Sequence, residues 1–335
     1  MYQRVYKDRV NKEESNTLMA TEEDFDFGTH ETLVLEVCDE DESELEEPLC
    51  NKSHGMYIDI RAMTDAVLPQ EYRQPELLSL IKAMANLTVK IDVSYVSRMR
   101  PRNWQGKENA IYPAYEKRGE RTKTSGSGRI ADVYQDDNED IRCHCSACGN
   151  GKSADRESWI IQVFTATHVV YDATEAEHSE CLVFYDTQDG GYTSFKLVKK
   201  LWANEAGDLS LLAGATCDRG LATQLGIMIR DFNKLWKQIR ENYVKDHDAN
   251  DKERLVVVVS HPHGQPKKVS FSKLKRRVQK QIDKEDKGCF YTYEACTCCG
   301  SSGAPVYIYG QDWFQDEIVH SGKNSRENYS TTWCP

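Results

Sequence analysis

The chain has 335 residues, a formal net charge of −11 and 39 % hydrophobic residues. This length suffices for one large or two medium domains, and the absence of a run of about 18 apolar residues excludes a transmembrane helix. The polar N-terminus does not resemble a secretory signal, so we expect a cytoplasmic protein. Because the net charge disfavours affinity for nucleic acid or an anionic membrane, we expect neither as a partner.

The N-terminal region is strongly acidic. Between Thr21 and Cys50 there are thirteen Asp and Glu residues and no Lys or Arg, and removing them from a net charge of −11 leaves +2. Like charges with few aromatic residues bury too little surface to become ordered. We therefore predict a mostly disordered acidic arm over residues 1–55. Its role, as an autoinhibitor or a docking tail, is left open by the sequence.

Hydrophobic periodicity then predicts short strands and two helices. A helix is expected at Pro75–Asn86, within a lead-in over residues 56–86, and apolar residues at helical spacing predict a second helix between Leu221 and Tyr243. Alternating or β-branched runs predict these strands: Leu87–Tyr95, Ser158–Thr165, Cys181–Asp186, Leu255–Ser260, Ala304–Tyr309 and Asp316–Ser321.

This layout predicts an all-β barrel or sandwich interrupted by one helix, that is, two β subdomains joined by a helical link. We assign the first β subdomain to residues 87–218, the connecting helix to residues 219–250 and the second β subdomain to residues 251–335.

The chain contains twelve cysteines. Without a secretion signal, we expect them to be free thiols or metal ligands rather than disulfides. Cys143, Cys145 and Cys148 have chelate-like spacing, but Zn²⁺ needs a fourth ligand, such as His178 or Cys181, from elsewhere. A structural zinc and free thiols both remain open for this cluster.

Three separate segments carry side chains suited to nucleophilic catalysis. They are Thr-Ala-Thr-His168-Val-Val, Gly-Asp208-Leu-Ser-Leu-Leu and Gly-Ser-Ser302-Gly-Ala-Pro-Val. A serine hydroxyl needs a histidine to accept its proton, and that histidine needs a carboxylate to fix its tautomer. The glycines around Ser302 permit a tight turn whose N–H groups can stabilise an oxyanion. The chain order His, Asp, Ser is that of the chymotrypsin class.

These motifs resemble the signatures of trypsin/chymotrypsin-like serine proteases of the PA clan, of the intracellular HtrA-like or glutamyl-endopeptidase-like kind. The resemblance implies a chymotrypsin-like fold of two six-stranded antiparallel β-barrels, with the active site between them. It implies His168 as general base, Asp208 as its carboxylate and Ser302 as nucleophile, with the N–H groups of Gly300 and Ser302 as oxyanion donors. No cofactor is implied. The chain departs from the family pattern at Thr167 and Ser210, where alanine is usual.

The segment after the nucleophile suggests a specificity. Ile-Val-His320-Ser321-Gly322 resembles the strand with which the family pairs an extended polypeptide substrate. His320 lies where glutamyl endopeptidases place a histidine in the S1 pocket, which implies a preference for Glu or Gln at P1, the residue before the scissile bond. We therefore predict His320, Ser321 and Gly322 as substrate-binding residues.

A second hypothesis is a catalytically inactive, protease-like binding or regulatory module, possibly stabilised by zinc. Fold alone does not determine function, so these motifs could persist in such a module. Labelling of Ser302 by a fluorophosphonate probe would discriminate the two hypotheses. The sequence does not indicate an oligomeric state.

Overall fold

The computed structural model describes residues 29–31, 33–35, 56–104, 110–135, 157–205, 207–246, 254–281, 287–311, 317–324 and 327–334. Three α-helices are present in these residues: α1 (Pro75–Leu87), α2 (Ala173–Glu177) and α3 (Arg219–Asp246). The strands in the same residues are β1 (Thr29–His30), β2 (Leu33–Leu35), β3 (Ile58–Asp59), β4 (Thr88–Val93), β5 (Lys123–Gln135), β6 (Trp159–Thr165), β7 (Ser179–Val183), β8 (Thr193–Asn204), β9 (Leu209–Thr216), β10 (Leu255–Ser260), β11 (Lys268–Gln281), β12 (Lys287–Tyr293), β13 (Val306–Ile308), β14 (Val319–Lys323) and β15 (Asn328–Cys334).

Six strands of the N-terminal half close into a barrel. The sheet runs β2-β5-β4-β7-β8-β9-β6, and β6 also pairs with β5, so β4 to β9 form a complete antiparallel ring. Val89, Ile91 and Val93 of β4 are buried in the hydrophobic core, as the alternation in the sequence predicts. Strand β2 lies outside the ring, on the edge of β5.

The C-terminal half forms a second, curled sheet. Its order is β1-β14-β15-β12-β11-β10-β13, with β3 paired to β11. The edges carrying β13 and β14 meet at a single bridge between Pro305 and Val319. Six strands, β10 to β15, therefore curl into a half-barrel, and the Gly303 N–H also donates to the His320 backbone oxygen across the same seam. The closed barrel followed by the curled half-barrel confirms the predicted all-β, chymotrypsin-like fold.

Helix α3 connects the two barrels. One face of it is buried, through Leu225, Phe232, Trp236 and Ile239, and belongs to the same hydrophobic cluster as α1 and the first barrel. Its other face is charged and exposed, which explains why apolar residues recur with helical spacing in the sequence. Within the described part of the chain, no helix is both long enough and apolar enough to cross a membrane.

Two short strands fall inside the range predicted as a mostly disordered arm. Strand β1 pairs with β14, and β2 pairs with β5, so residues 29–31 and 33–35 are ordered against the two barrels. A composition averaged over the acidic region conceals this short segment of strand-forming residues. The assignment of residues 1–55 as a mostly disordered arm stays a prediction. The rest of residues 1–55 lies outside the described residues.

The described cysteines differ in part from the expectation. Cys181 and Cys299 are free thiols, as predicted. Cys289, however, is disulfide-bonded, which corrects the expectation of reduced thiols throughout. The candidate zinc ligands of the 143–148 cluster lie outside the described residues, so zinc binding there remains a prediction.

Candidate active site

His168 and Asp208 meet at the end of two paired strands. His168 follows β6 and Asp208 precedes β9, and the pairing of Thr165 with Ser210 brings the two turns side by side. The Nδ1 atom of His168 lies 2.7 Å from Oδ2 of Asp208, and the His168 backbone N–H donates to Oδ1 at 3.1 Å. Both side chains are buried. The structure thus brings together two of the three predicted catalytic residues.

The charge of Asp208 determines the tautomer of His168. Burial alone would raise the pKa of Asp208, but the charge and hydrogen bonds of His168 hold this pKa below its ordinary value. The ionised carboxylate can only accept hydrogen bonds, so Nδ1 of His168 carries a proton and donates a hydrogen bond to Asp208. In the neutral ring, Nε2 then has no proton and acts as an acceptor.

The two departures from the family pattern contact each other. The hydroxyl oxygens of Thr167 and Ser210 lie 2.9 Å apart, and both side chains are buried. Each hydroxyl therefore gives the other a hydrogen-bond partner, which a single alanine at either position would remove. This explains why the two positions can both be polar beside Asp208.

A buried ion pair holds the backbone of His168. The Arg100 guanidinium donates to Oε1 of Glu175 at 2.6 Å and to the backbone oxygen of His168 at 3.0 Å. Glu175 also accepts from the backbone N–H of Tyr171 at 2.7 Å. Both charged side chains are fully buried. Arg100 therefore positions the turn after β6, and this role was not predicted from the sequence.

The loop that carries Ser302 depends on glycine. Gly300 has a φ of +90°, and a Cβ there would lie 2.6 Å from the backbone oxygen of His261. Gly303 has a φ of +79°, and a Cβ there would overlap Thr165 Oγ1. Only glycine fits such positions without strain. The contact at Gly303 places the Ser302 loop directly against the last residue of β6, at the start of the turn that carries His168.

Two hydrogen bonds from Ser127 hold this loop against the first barrel. The Ser127 backbone N–H donates to the Ser302 oxygen at 2.7 Å, and the Ser127 hydroxyl donates to the Gly300 oxygen at 2.8 Å. The hydroxyl of Ser302 and Nε2 of His168 are both buried, and neither has a hydrogen-bond partner among the described residues. The structure thus brings their loops together without a hydrogen bond between these two atoms.

A residue of the predicted arm occupies the position beside Ser302. The Gly300 N–H, one of the two predicted oxyanion donors, donates to the backbone oxygen of Glu31 at 2.7 Å. The Glu31 carboxylate is 1 % exposed and lies 2.9 Å from Nε2 of His320 and 3.0 Å from Nζ of Lys323. Burial opposes ionisation, yet His320 and Lys323 lower the pKa of Glu31 to about 2. Glu31 is therefore a buried carboxylate anion.

The second ring nitrogen of His320 is also bonded. Its Nδ1 lies 2.7 Å from the hydroxyl of Tyr293, which lies 2.5 Å from the hydroxyl of Ser330. Burial raises the pKa of Tyr293, so its hydroxyl keeps its proton. With the carboxylate of Glu31 accepting from Nε2–H, the neutral His320 ring accepts at Nδ1 from Tyr293. His320 is therefore held as a donor toward Glu31.

Ser321 and Gly322 lie beside His30, the residue that precedes Glu31 in the chain. Gly322 pairs with His30, and Nδ1 of His30 donates to the Ser321 backbone oxygen at 3.0 Å. The His30 ring stacks on Trp104 with centroids 4.0 Å apart and lies 4.5 Å from the His168 ring. The residues predicted to bind substrate thus contact a segment of the same chain.

Six residues described above as part of the site were not identified from the sequence. Three of them have a local signal that could have found them: Lys323 directly follows Gly322, and His30 and Glu31 lie in a β-prone stretch of the acidic region. Nothing local marks Arg100, Glu175 or Tyr293.

One group of side chains has the spacing of metal ligands. His30, His168 and Asp208 offer ligand atoms that all lie within 4.8 Å of one another. A cation bound to Nδ1 of His168 would displace the proton that links His168 to Asp208, since Nδ1 cannot both bind a metal and donate. The arrangement is better suited to proton transfer, for which no cofactor is needed.

Comparison with known proteins agrees with this chemistry. Residues 153–311 match the family model of the trypsin-like peptidase domain, which confirms the predicted resemblance and enzyme class. No curated protein sequence matches the chain.

Several solved structures are weakly similar. The active form of the Rv3671c protease from M. tuberculosis is 15 % identical, with a TM-score of 0.38, 78 % of this chain and 82 % of that chain covered. Deg5 is 11 % identical, with a TM-score of 0.39, and the match covers 78 % of this chain and 90 % of Deg5. The HtrA-type protease AlgW with a tripeptide is 11 % identical, with a TM-score of 0.36, and the match covers 76 % of this chain and 58 % of AlgW.

Proposed function

We propose that this chain, a trypsin-like serine protease by its match over residues 153–311, is an endopeptidase that cleaves polypeptides after glutamate. One observation carries the proposal. The buried His168–Asp208 pair leaves Nε2 of His168 without a partner among the described residues, and the buried hydroxyl of Ser302 on the adjoining loop has none there either. Buried polar atoms are rarely left unpaired unless a ligand or a reaction uses them.

In the proposed reaction, Ser302 is the nucleophile and His168 is the general base. The Ser302 oxygen adds to the scissile carbonyl carbon while its proton moves to Nε2 of His168. Asp208 stabilises the imidazolium that forms. His168 then gives the proton to the leaving amine, and water repeats the sequence on the acyl-enzyme. No cofactor takes part in these steps.

The N–H groups of Gly300 and Ser302 are proposed to stabilise the oxyanion. The Gly300 N–H already binds a carbonyl oxygen, that of Glu31, at 2.7 Å. A preorganised donor of this kind is worth about 10²- to 10³-fold in rate. The Gly300 N–H bonds to Glu31 and not to a group of its own loop, which supports this role.

The proposed preference for glutamate rests on the surroundings of His320. A neutral His320 with a proton on Nε2 can donate to either Glu or Gln, so it alone would accept both. Lys323 adds a positive charge 3.0 Å from the side chain of Glu31, which favours the anion. We therefore place Glu above Gln at P1.

The test uses a fluorophosphonate probe and a peptide library with varied P1 residues. We expect wild-type protein and the exposed-serine control Ser79→Ala to be labelled, and Ser302→Ala to remain unlabelled. We expect the library to be cleaved after Glu first and Gln second. Absence of both labelling and cleavage would favour the inactive binding module, whereas cleavage after Arg or Phe would refute the specificity alone.

A further inference from the structure

Two short pieces of the acidic region, residues 29–31 and 33–35, each pair with one of the two barrels. Strand β1 pairs antiparallel with β14 through Thr29 with Lys323 and His30 with Gly322. Strand β2 pairs antiparallel with β5, beginning at Leu33. Residues 29–30 therefore bind the second barrel, and residues 33–35 bind the first. Main-chain pairing of this kind is how an extended peptide adds to a sheet edge.

Glu31 lies between these two pairings, at the proposed chemistry. Its backbone oxygen accepts from the Gly300 N–H, and its side chain contacts His320 and Lys323. Its carboxylate is buried among these groups and is anionic. The residue thus places its carbonyl at the proposed oxyanion donor and its side chain in the proposed S1 pocket at the same time.

We propose that the segment Thr29–Leu35 is a substrate of its own active site and that the enzyme cleaves the peptide bond after Glu31. This inference rests on the proposed function, because it requires Ser302 and His168 to react. Until it is cut, the segment also excludes other peptides, because it occupies the edge of β14 that is predicted to pair with substrate and the Gly300 N–H.

The bond changes balance with water as the only co-reactant. The Ser302 oxygen forms an ester with the Glu31 carbonyl carbon as the bond from that carbon to the Thr32 nitrogen breaks, and His168 transfers the serine proton to this nitrogen. Water then adds to the ester carbon and gives one proton to His168, which returns it to the Ser302 oxygen as the ester breaks. The products are a peptide of residues 1–31 with a terminal carboxylate and a chain that begins at Thr32.

Chain length allows the segment to act on its own molecule. Twenty residues separate Leu35 from Met56, where the described chain resumes. At about 3.3 Å per residue, that many residues reach about 65 Å when extended, which is more than the width of a domain of this size. We therefore expect cleavage within one molecule, at a rate independent of protein concentration.

The experiment follows the full 335-residue chain by intact mass and N-terminal sequencing. We expect wild-type protein to yield a fragment that begins at Thr32, with the same half-time over a hundredfold range of concentration. Ser302→Ala and Glu31→Ala should stay intact at this bond. The matched control Glu46→Ala, which changes another acidic residue of the arm, should be cut like the wild type.

Two further measurements make the result decisive. Glu31→Gln keeps the size of the side chain and should be cut about fivefold more slowly, since a charge-assisted hydrogen bond is about twice as strong as a neutral one. Glu31→Ala should react faster with the fluorophosphonate probe than wild-type protein that is still uncut, because its segment binds the site less tightly.

The outcomes separate this inference from the proposed function. If the wild type hydrolyses an added glutamyl peptide in a Ser302-dependent manner but its own chain stays whole, or is cut elsewhere, self-cleavage after Glu31 is overturned and the proposed function stands. If neither the added peptide nor the chain is cut and Ser302 is not labelled, the proposed function itself fails.

Discussion

The described part of the chain contains two buried histidine–carboxylate pairs, and they differ in whether a ring nitrogen remains available. In the first barrel, His168 binds Asp208 through Nδ1 at 2.7 Å, and its Nε2 has no partner in the described part of the chain. In the second barrel, His320 binds Glu31 through Nε2 at 2.9 Å and Tyr293 through Nδ1 at 2.7 Å. The same two side-chain types thus leave Nε2 of His168 without a hydrogen-bond partner in these residues, whereas both ring nitrogens of His320 have one.

This difference assigns different chemistry to the two rings. A general base needs an unprotonated nitrogen that faces the reacting hydroxyl, and of the two rings only His168 offers one. A ring with both nitrogens bonded is fixed in one tautomer and can recognise a carboxylate but cannot exchange protons with a substrate hydroxyl. Tyr293 and Ser330 supply that fixation for His320, as Asp208 supplies it for His168. The number of occupied nitrogens therefore distinguishes a catalytic from a recognition histidine in this fold.

The largest effect is expected at Asp208, whose carboxylate keeps Nε2 of His168 unprotonated. In Asp208→Asn the amide can donate to Nδ1, so His168 would hold its proton on Nε2 and could not accept one from Ser302. We expect kcat on a glutamyl peptide to fall by about 10⁴-fold, the loss seen when a triad carboxylate is replaced in this way. Steady-state kinetics checks this, with the exposed helix variant Asp231→Asn as control. Wild-type kcat in Asp208→Asn would show that the carboxylate does not set the tautomer.

Local sequence predicted the first pair but only half of the second. His168 and Asp208 each lie next to a recognisable strand, and the pairing of β6 with β9 necessarily brings the two turns together. Glu31 reaches His320 across 289 positions, and no local pattern encodes such a contact. Its surroundings in the sequence are acidic, so composition predicted disorder where a short stretch of β-prone residues pairs with a sheet edge. Arg100 and Glu175 escaped prediction for the same reason, since two charged residues 75 positions apart give no sign that they are buried together.

A smaller effect is expected at His320, and it should appear in selectivity. His320→Ala removes the donor to the glutamate side chain and leaves the hydroxyl of Tyr293 without this partner. Hydrogen bonds to charged groups contribute about 1.5–3 kcal/mol, so we expect kcat/KM for P1 Glu to fall by about 10- to 150-fold. For P1 Leu the change should be much smaller. The Glu-to-Leu ratio of kcat/KM measures this, with the exposed His178→Ala as control, and an unchanged ratio would remove His320 from the S1 pocket.

The smallest effect is expected at Lys323, which contributes a positive charge beside the bound carboxylate and takes no part in proton transfer. Its side chain is 29 % exposed, so solvent screens its attraction for a buried carboxylate. Partly exposed ion pairs contribute about 1 kcal/mol or less, and we expect Lys323→Met to lower the Glu-to-Gln ratio of kcat/KM by up to about fivefold. Raising the salt concentration should lower the same ratio in the wild type and in the control Lys275→Met, but not in Lys323→Met. Equal salt dependence in all three proteins would mean that the preference for the anion arises from His320 alone, which would then have to bind glutamate as an imidazolium.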